Sequence, residues 1–208
     1  MPLEYLISAA VTLFVVVDPI GLAPTFLSVT AGIPDAARRK VAQRAAVIAG
    51  AILSVTALIG DWLLRQLGIT LPAFHIAGGL LLFSIASEMV FGVRIERQSR
   101  DAEQAIEERV RNIAAFPLAM PLLAGPGALT ATVLLAGQAA FRPLYLAVLL
   151  AVIAAMAALS LLVFRLAARI GRALGTTGNV LLSRIQGVLL ASLAVQYVID
   201  GLRAVLKG

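Results

Sequence analysis

Long apolar runs separated by short charged stretches set the pattern of this 208-residue chain. Between Glu4 and Asp35 the only charge is Asp18, and runs 45–60, 66–87, 112–141, 143–164 and 185–199 are free of charge. A helix crossing the hydrocarbon core of a bilayer needs about 20 predominantly apolar residues. The pattern therefore predicts six transmembrane helices, at about 4–30, 43–64, 71–92, 112–138, 143–166 and 181–203. Runs 45–60 and 185–199 are short for a span and must extend past Arg44 and Asp200, with Arg44 reaching back to the interface. The implied fold class is all-α, a single polytopic membrane domain over residues 1–208 with the lipid bilayer as its first partner.

Composition strengthens this reading. The chain is 61% hydrophobic and 13% charged, with a mean hydropathy of +0.98, whereas soluble domains carry roughly a quarter charged residues. The opening Met1-Pro2-Leu3-Glu4-Tyr5 has an acid and no base, and Asp18-Pro19 interrupts the first apolar run; both features argue against a cleaved signal peptide. A net charge of +6 and a pI near 10.7 would point to nucleic acid in a soluble protein. Here topology accounts for the charge. Of 17 Lys and Arg residues, thirteen follow the first, third and fifth helices: Arg38, Arg39, Lys40 and Arg44, then Arg94, Arg97, Arg100, Arg109 and Arg111, then Arg165, Arg169, Arg172 and Arg184. Arg65, Arg142, Arg203 and Lys207 lie on the other side. The basic side is expected in the cytoplasm, which puts both termini outside a bacterial inner membrane and leaves no call for a nucleic-acid partner. The stretch 93–111 also carries Glu96, Asp101, Glu103, Glu107 and Glu108, and reads as a cytoplasmic linker.

That linker separates two related halves, about 1–92 and 112–208. At an offset of 107, Pro19 pairs with Pro126, Leu22 with Leu129, Thr25 with Thr132 and Leu27 with Leu134. At an offset of 108, Gly79 pairs with Gly187, Ser84 with Ser192 and Ala86 with Ala194. Three spans per half force the halves into opposite orientations, the inverted repeat of many secondary transporters. Asp18-Pro19 and Gly125-Pro126 both fall roughly 20 Å along their helices, a depth read as close to the bilayer centre. Proline opens a helix, and freed backbone groups survive at such depth only beside protein or a polar cavity. Asp18 before Pro19, and Gly125 before Pro126, read as cap and first-turn proline of a second half-helix.

Two half-helix N-termini present unpaired N–H groups suited to a carboxylate, and Asp18 suits an ammonium or a coupling ion. Together they describe a site for a small zwitterion, built from Asp18, Pro19, Gly21, Thr25, Gly125, Pro126, Gly127, Thr130 and Thr132. Thr hydroxyls in helices also commonly bond their own preceding carbonyl. Asp18, with Glu88 as a second carboxylate, is the candidate for coupling to H+ or Na+; Glu88 also reads as interfacial, at the cytoplasmic end of its helix. Gly78, Gly79 and Gly187 read as positions of close helix contact near the broken helices. His75 reads as interfacial. With no Cys and one His, disulfides, thiolate sites and multi-histidine metal sites are excluded, and the expectation is a non-enzyme without cofactor or metal. A homo-oligomer is left open.

At these residues the chain resembles a known family. Asp18-Pro19-Ile20-Gly21 with Ala23-Pro24, Phe74-His75-Ile76-Ala77-Gly78-Gly79, Pro117-Leu118-Ala119-Met120-Pro121 running on to Gly125-Pro126-Gly127, and Arg184-Ile185-Gln186-Gly187 look like the MarC-related membrane proteins. The likeness covers nearly the whole chain. It implies a six-helix inner-membrane protein with transport activity toward small neutral amino acids such as glycine and alanine. Leu22 stands where Asn is frequent in that family, Gln186 where an apolar residue is usual and His75 where Arg is common. The competing readings are a channel or facilitator for a small solute and an exporter of other metabolites or drugs.

Overall fold

A computed structural model describes residues 2–94, 96–97, 113–139 and 142–207. Most of the charged linker, including Arg100, Asp101, Glu103, Glu107, Glu108, Arg109 and Arg111, lies outside the described residues. The described residues are helical with connecting turns and no strand. In chain order the helices are α1 (Pro2–Val17), α2 (Ala23–Val29), α3 (Asp35–Gln66), α4 (Leu71–Phe91), α5 (Ala114–Leu123), α6 (Pro126–Gln138), α7 (Pro143–Arg165) and α8 (Ala167–Lys207). Among these, Asp35–Gln66, Leu71–Phe91, Pro143–Arg165 and the Thr177–Leu206 part of α8 are long and apolar enough to cross a membrane. The pair α5 and α6, bent by 58°, meets the same test when taken together, which gives four to five such elements among the described residues. The apolar α1 is shorter, broken off from α2 at residues 18–22.

Local chemistry explains where the helices begin and break. The Thr70 side chain accepts from the Ala73 amide at 3.4 Å, capping α4 with a proline in its first turn. Gly92, in the left-handed conformation, ends it. In α5, two prolines four residues apart remove donors from consecutive turns. Phe116 and Met120, the residues before Pro117 and Pro121, are extended (φ −134° for both), as proline demands of its predecessor. The segment is consequently a wide, irregular turn with Ala124 N–H reaching back to the Ala119 carbonyl at 2.8 Å. The expected span at 112–138 thus carries a whole irregular half, where the sequence reading had a single break at Gly125-Pro126. α8 is likewise longer than the expected 181–203, with a break at Gly175 (φ 61°).

The most extensive helix contact joins α4 to α8. Small residues set its closeness. A methyl group on Gly79 would lie 2.7 Å from the Ala194 carbonyl oxygen, and one on Gly187 would lie 3.0 Å from the Ala86 carbonyl oxygen. Gly78 faces the other way, toward Thr130 and Leu134 of α6. α6 runs antiparallel along α4, with Gly137 against Leu71, Gly78 against Thr130 and Gly127 against Ile85. α1 joins the same bundle through the Tyr5 hydroxyl, which donates to the Leu135 carbonyl at 2.8 Å. Leu13, Leu82, Leu134, Leu135 and Leu190 are fully buried between these helices. Large apolar side chains also cover the outside, among them Trp62, Leu80, Leu81, Leu162 and Val188. A soluble monomer does not expose apolar surface on that scale; lipid is its natural solvent.

The α4–α8 seam gives a first test. Gly79→Leu or Gly187→Leu should overpack it at a cost of about 1–3 kcal/mol, read as a lower melting temperature of detergent-purified protein. Leu80→Ala, on the outward face, should leave the melting temperature unchanged.

Candidate functional site

Both predicted breaks exist, but they are built differently. At the first, the helix stops at Val17 and regular α2 starts only at Ala23, with Leu22 rather than Asp18 in the capping position and no side-chain cap. Asp18 adopts φ 51°, a conformation its short polar side chain tolerates better than most. Its carboxylate caps the intervening turn, Oδ1 accepting from the Gly21 amide at 3.0 Å. Pro19 and Gly21 are buried in that turn, and Gly21 is glycine because any Cβ would collide with the Asp18 carboxylate. At the second break the expectation holds: Gly125 is the N-cap of α6 and Pro126 its first-turn proline. The Pro121 carbonyl occupies the space a Gly125 side chain would need.

The charge environment of Asp18 corrects the sequence reading. Arg94, expected in the cytoplasmic linker, turns back into the bundle and is 7% exposed. One guanidinium nitrogen donates to the Val16 carbonyl at 2.8 Å and another contacts the Met89 sulfur at 3.2 Å. The guanidinium lies within electrostatic reach of Asp18, itself 2% exposed. Asp18 is therefore not a lone buried charge. Gln186 of α8 also approaches Asp18, and by strict geometry neither of its amide atoms closes a hydrogen bond. The two breaks lie at one level along α4. Gly127 packs beside Ile85 and against Val16, placing both breaks about 21 Å from the start of α4. They sit just past its middle, toward the linker end.

A cavity of 410 Å3 opens at this level. Its walls include Val16 of α1, Ser84 and Glu88 of α4, Arg94 and Arg97 beyond it, Pro121 of α5, and Gly125, Pro126, Gly127 and Ala128. The first-turn amides of α6, at Gly127 and Ala128, have no partner within the helix, and the positive end of the helix dipole lies there. Glu88 Oε1 accepts from Arg97 at 2.8 Å, while Oε2 is buried with no hydrogen-bond partner. A lining that combines two arginines, free helix amides and a half-satisfied carboxylate can hold a ligand of mixed charge.

Of the residues singled out in the sequence, Gly125, Pro126, Gly127 and Glu88 line this cavity. Asp18, Pro19 and Gly21 do not line it, and Asp18 reaches it only through its electrostatic contact with Arg94. Thr25, Thr130 and Thr132 are buried but do not line it. Thr132 donates to the Ala128 carbonyl at 2.7 Å, the ordinary helix-internal bond, and the methyl of Thr130 packs at Gly78. His75 lies far off near the start of α4, stacked on Tyr197 at 6.0 Å. Arg94 and Arg97 were missed, because a basic residue two or five positions past a helix end is indistinguishable in sequence from a loop charge. The glycine at 92, which turns the chain, was the available signal.

Removing Arg94 tests this geometry. Arg94→Gln should leave buried Asp18 and the Val16 carbonyl without their cation, costing about 2–3 kcal/mol. Combining it with Asp18→Asn should recover part of that loss, measured as a double-mutant cycle of unfolding midpoints; strictly additive losses would separate the two residues.

Comparison with known proteins gives the family. Residues 3–206 match the MarC family integral membrane protein description. The chain is similar to a UPF0056 membrane protein of Archaeoglobus fulgidus, 38% identical over 205 residues, covering 96% of this chain and 93% of that one. It is 36% identical over 209 residues to one from Methanocaldococcus jannaschii, covering 99% and 100%. To the UPF0056 membrane protein YhcE of Escherichia coli it is 34% identical over 197 residues, covering 94% and 91%. No solved structure matches the chain.

Proposed function

Because the chain belongs to the MarC family of integral membrane proteins, we propose that it is a secondary transporter of small neutral amino acids of glycine and alanine size. One observation carries this reading: the 410 Å3 cavity at the start of α6, lined by Arg94 and by Glu88. A substrate carboxylate is received by the Gly127 and Ala128 amides with Arg94, and the ammonium by the unpartnered Oε2 of Glu88. Ile85, Pro121 and Leu122 complete the apolar part of the lining.

In this reading α1 and α2 form one broken span and α5 and α6 its inverted counterpart. With α3, α4, α7 and Thr177–Leu206 they make six crossings of a bacterial inner membrane, both termini outside. The cavity then opens toward the cytoplasmic side, bounded by the Glu88–Arg97 ion pair, and alternating access moves the two broken elements around it. Coupling follows from the position of Arg94 between the cavity and Asp18. When a substrate carboxylate draws on Arg94, Asp18 loses part of its counter-charge and takes up a proton. The reading requires a carrier and no catalytic residue, metal or cofactor.

Proteoliposomes test it. Unlabelled alanine trapped inside should accelerate uptake of labelled alanine or glycine, as a carrier does and a channel does not. Glu88→Gln and Arg94→Gln should each lower exchange about tenfold or more, the worth of one charged hydrogen bond. Asp18→Asn should retain exchange and lose its response to a pH gradient. Absence of exchange with every small neutral amino acid would refute the assignment.

A further inference from the structure

A second cavity, of 230 Å3, opens between the half-helix α2, the start of α3 and the α7–α8 junction. It shares no lining residue with the first. Five arginines converge on it from three elements: Arg38 and Arg39 of α3, Arg165 of α7, and Arg169 and Arg172 of α8; Asp35 is the acid among its lining residues. Arg165, Arg169 and Arg172 follow at helix-face spacing, where like charges repel. Compensation inside the chain is thin. Asp35 meets Arg38 at 3.3 Å, but its own side chain is 85% exposed, so the pair is weak. Arg38 Nε is buried with no hydrogen-bond partner. Arg172 Nε is turned to the Ala168 carbonyl at 3.1 Å, leaving its terminal nitrogens to the cavity side or solvent. A convergence of this kind calls for an anion.

The opposite wall says which anion. Leu27 of α2 and Leu166, both partly exposed, form an apolar flank, backed by the buried Phe26–Phe164 stack at 4.5 Å. A free phosphate gains nothing from such a wall; a phosphodiester carrying acyl chains fills both halves. The arginines also belong to the base-rich loops that the proposed topology places on the cytoplasmic face, where anionic headgroups attract Lys and Arg. We propose that this cavity is a binding site for the phosphate of an anionic phospholipid, whose chains lie along Leu27 and Leu166. The bound lipid holds α2, the short half-helix after the first break, against α7 and α8.

The probe is phosphatidylglycerol, added to detergent-purified protein and followed by native mass spectrometry and by thermal shift. The exposed pair Arg169→Gln/Arg172→Gln should weaken its binding about tenfold or more, since each base near an anionic headgroup contributes roughly a fivefold factor. Arg203→Gln, at the other end of α8, should not. Phosphatidylcholine should bind weakly to the wild type, and inorganic phosphate should neither stabilise the protein nor displace the lipid. Should the double variant not survive purification, Arg172→Gln alone should still weaken binding severalfold. Equal affinity of the variants and wild type would overturn the site. Equal binding of phosphatidylcholine, or full competition by inorganic phosphate, would overturn the assignment to an anionic lipid. Amino-acid exchange is not part of this readout, so its presence or absence leaves the result standing by itself.

Discussion

Backbone polar groups released inside an apolar bundle must be paired, and the whole of this site follows from how two broken helices meet that demand. At the first break the chain supplies its own partners. Arg94 takes the Val16 carbonyl and the Asp18 carboxylate takes the Gly21 amide. At the second, the α5 irregularity closes on itself through Ala124 and Ala119, and Gly127 and Ala128, whose first-turn amides have no partner within α6, line a cavity. One break is self-satisfied and the other open. The two halves share a sequence pattern and differ in the property that matters for binding.

That difference shifts the chemical centre from Asp18 to the cavity wall. A carboxylate already serving Gly21 and facing a buried guanidinium has little left for a ligand ammonium. Glu88, with one oxygen on Arg97 and the other unpartnered, is the freer acid. Asp18 keeps influence through Arg94, which touches the α1 backbone and also lines the cavity. In the proposed mechanism, a ligand that borrows the positive charge of Arg94 is felt at Asp18.

Much of this was legible in sequence. The uncharged runs located the apolar helices, of which four to five among the described residues are long enough to span, and Asp18-Pro19 and Gly125-Pro126 located both breaks, because proline acts on the backbone locally. Gly78, Gly79 and Gly187 marked close contacts because a missing side chain has few other uses inside a membrane bundle. What stayed hidden depended on chain direction after a helix end. Nothing in 93–111 distinguishes Arg94, which folds inward past Gly92, from the other arginines of that stretch. Pro117 and Pro121 were visible, yet their effect on α5 emerges only when their spacing is read against the helix turn.

The central claim is that one cavity recognises both charges of a small zwitterion. It is tested most directly by equilibrium binding of labelled alanine to purified protein, with propionate and ethylamine as competitors that each carry one charge. Alanine and glycine should displace the label, while propionate and ethylamine should do so only at far higher concentration. Displacement by propionate as effective as by alanine would contradict the account, since Glu88 would then have no part in recognition.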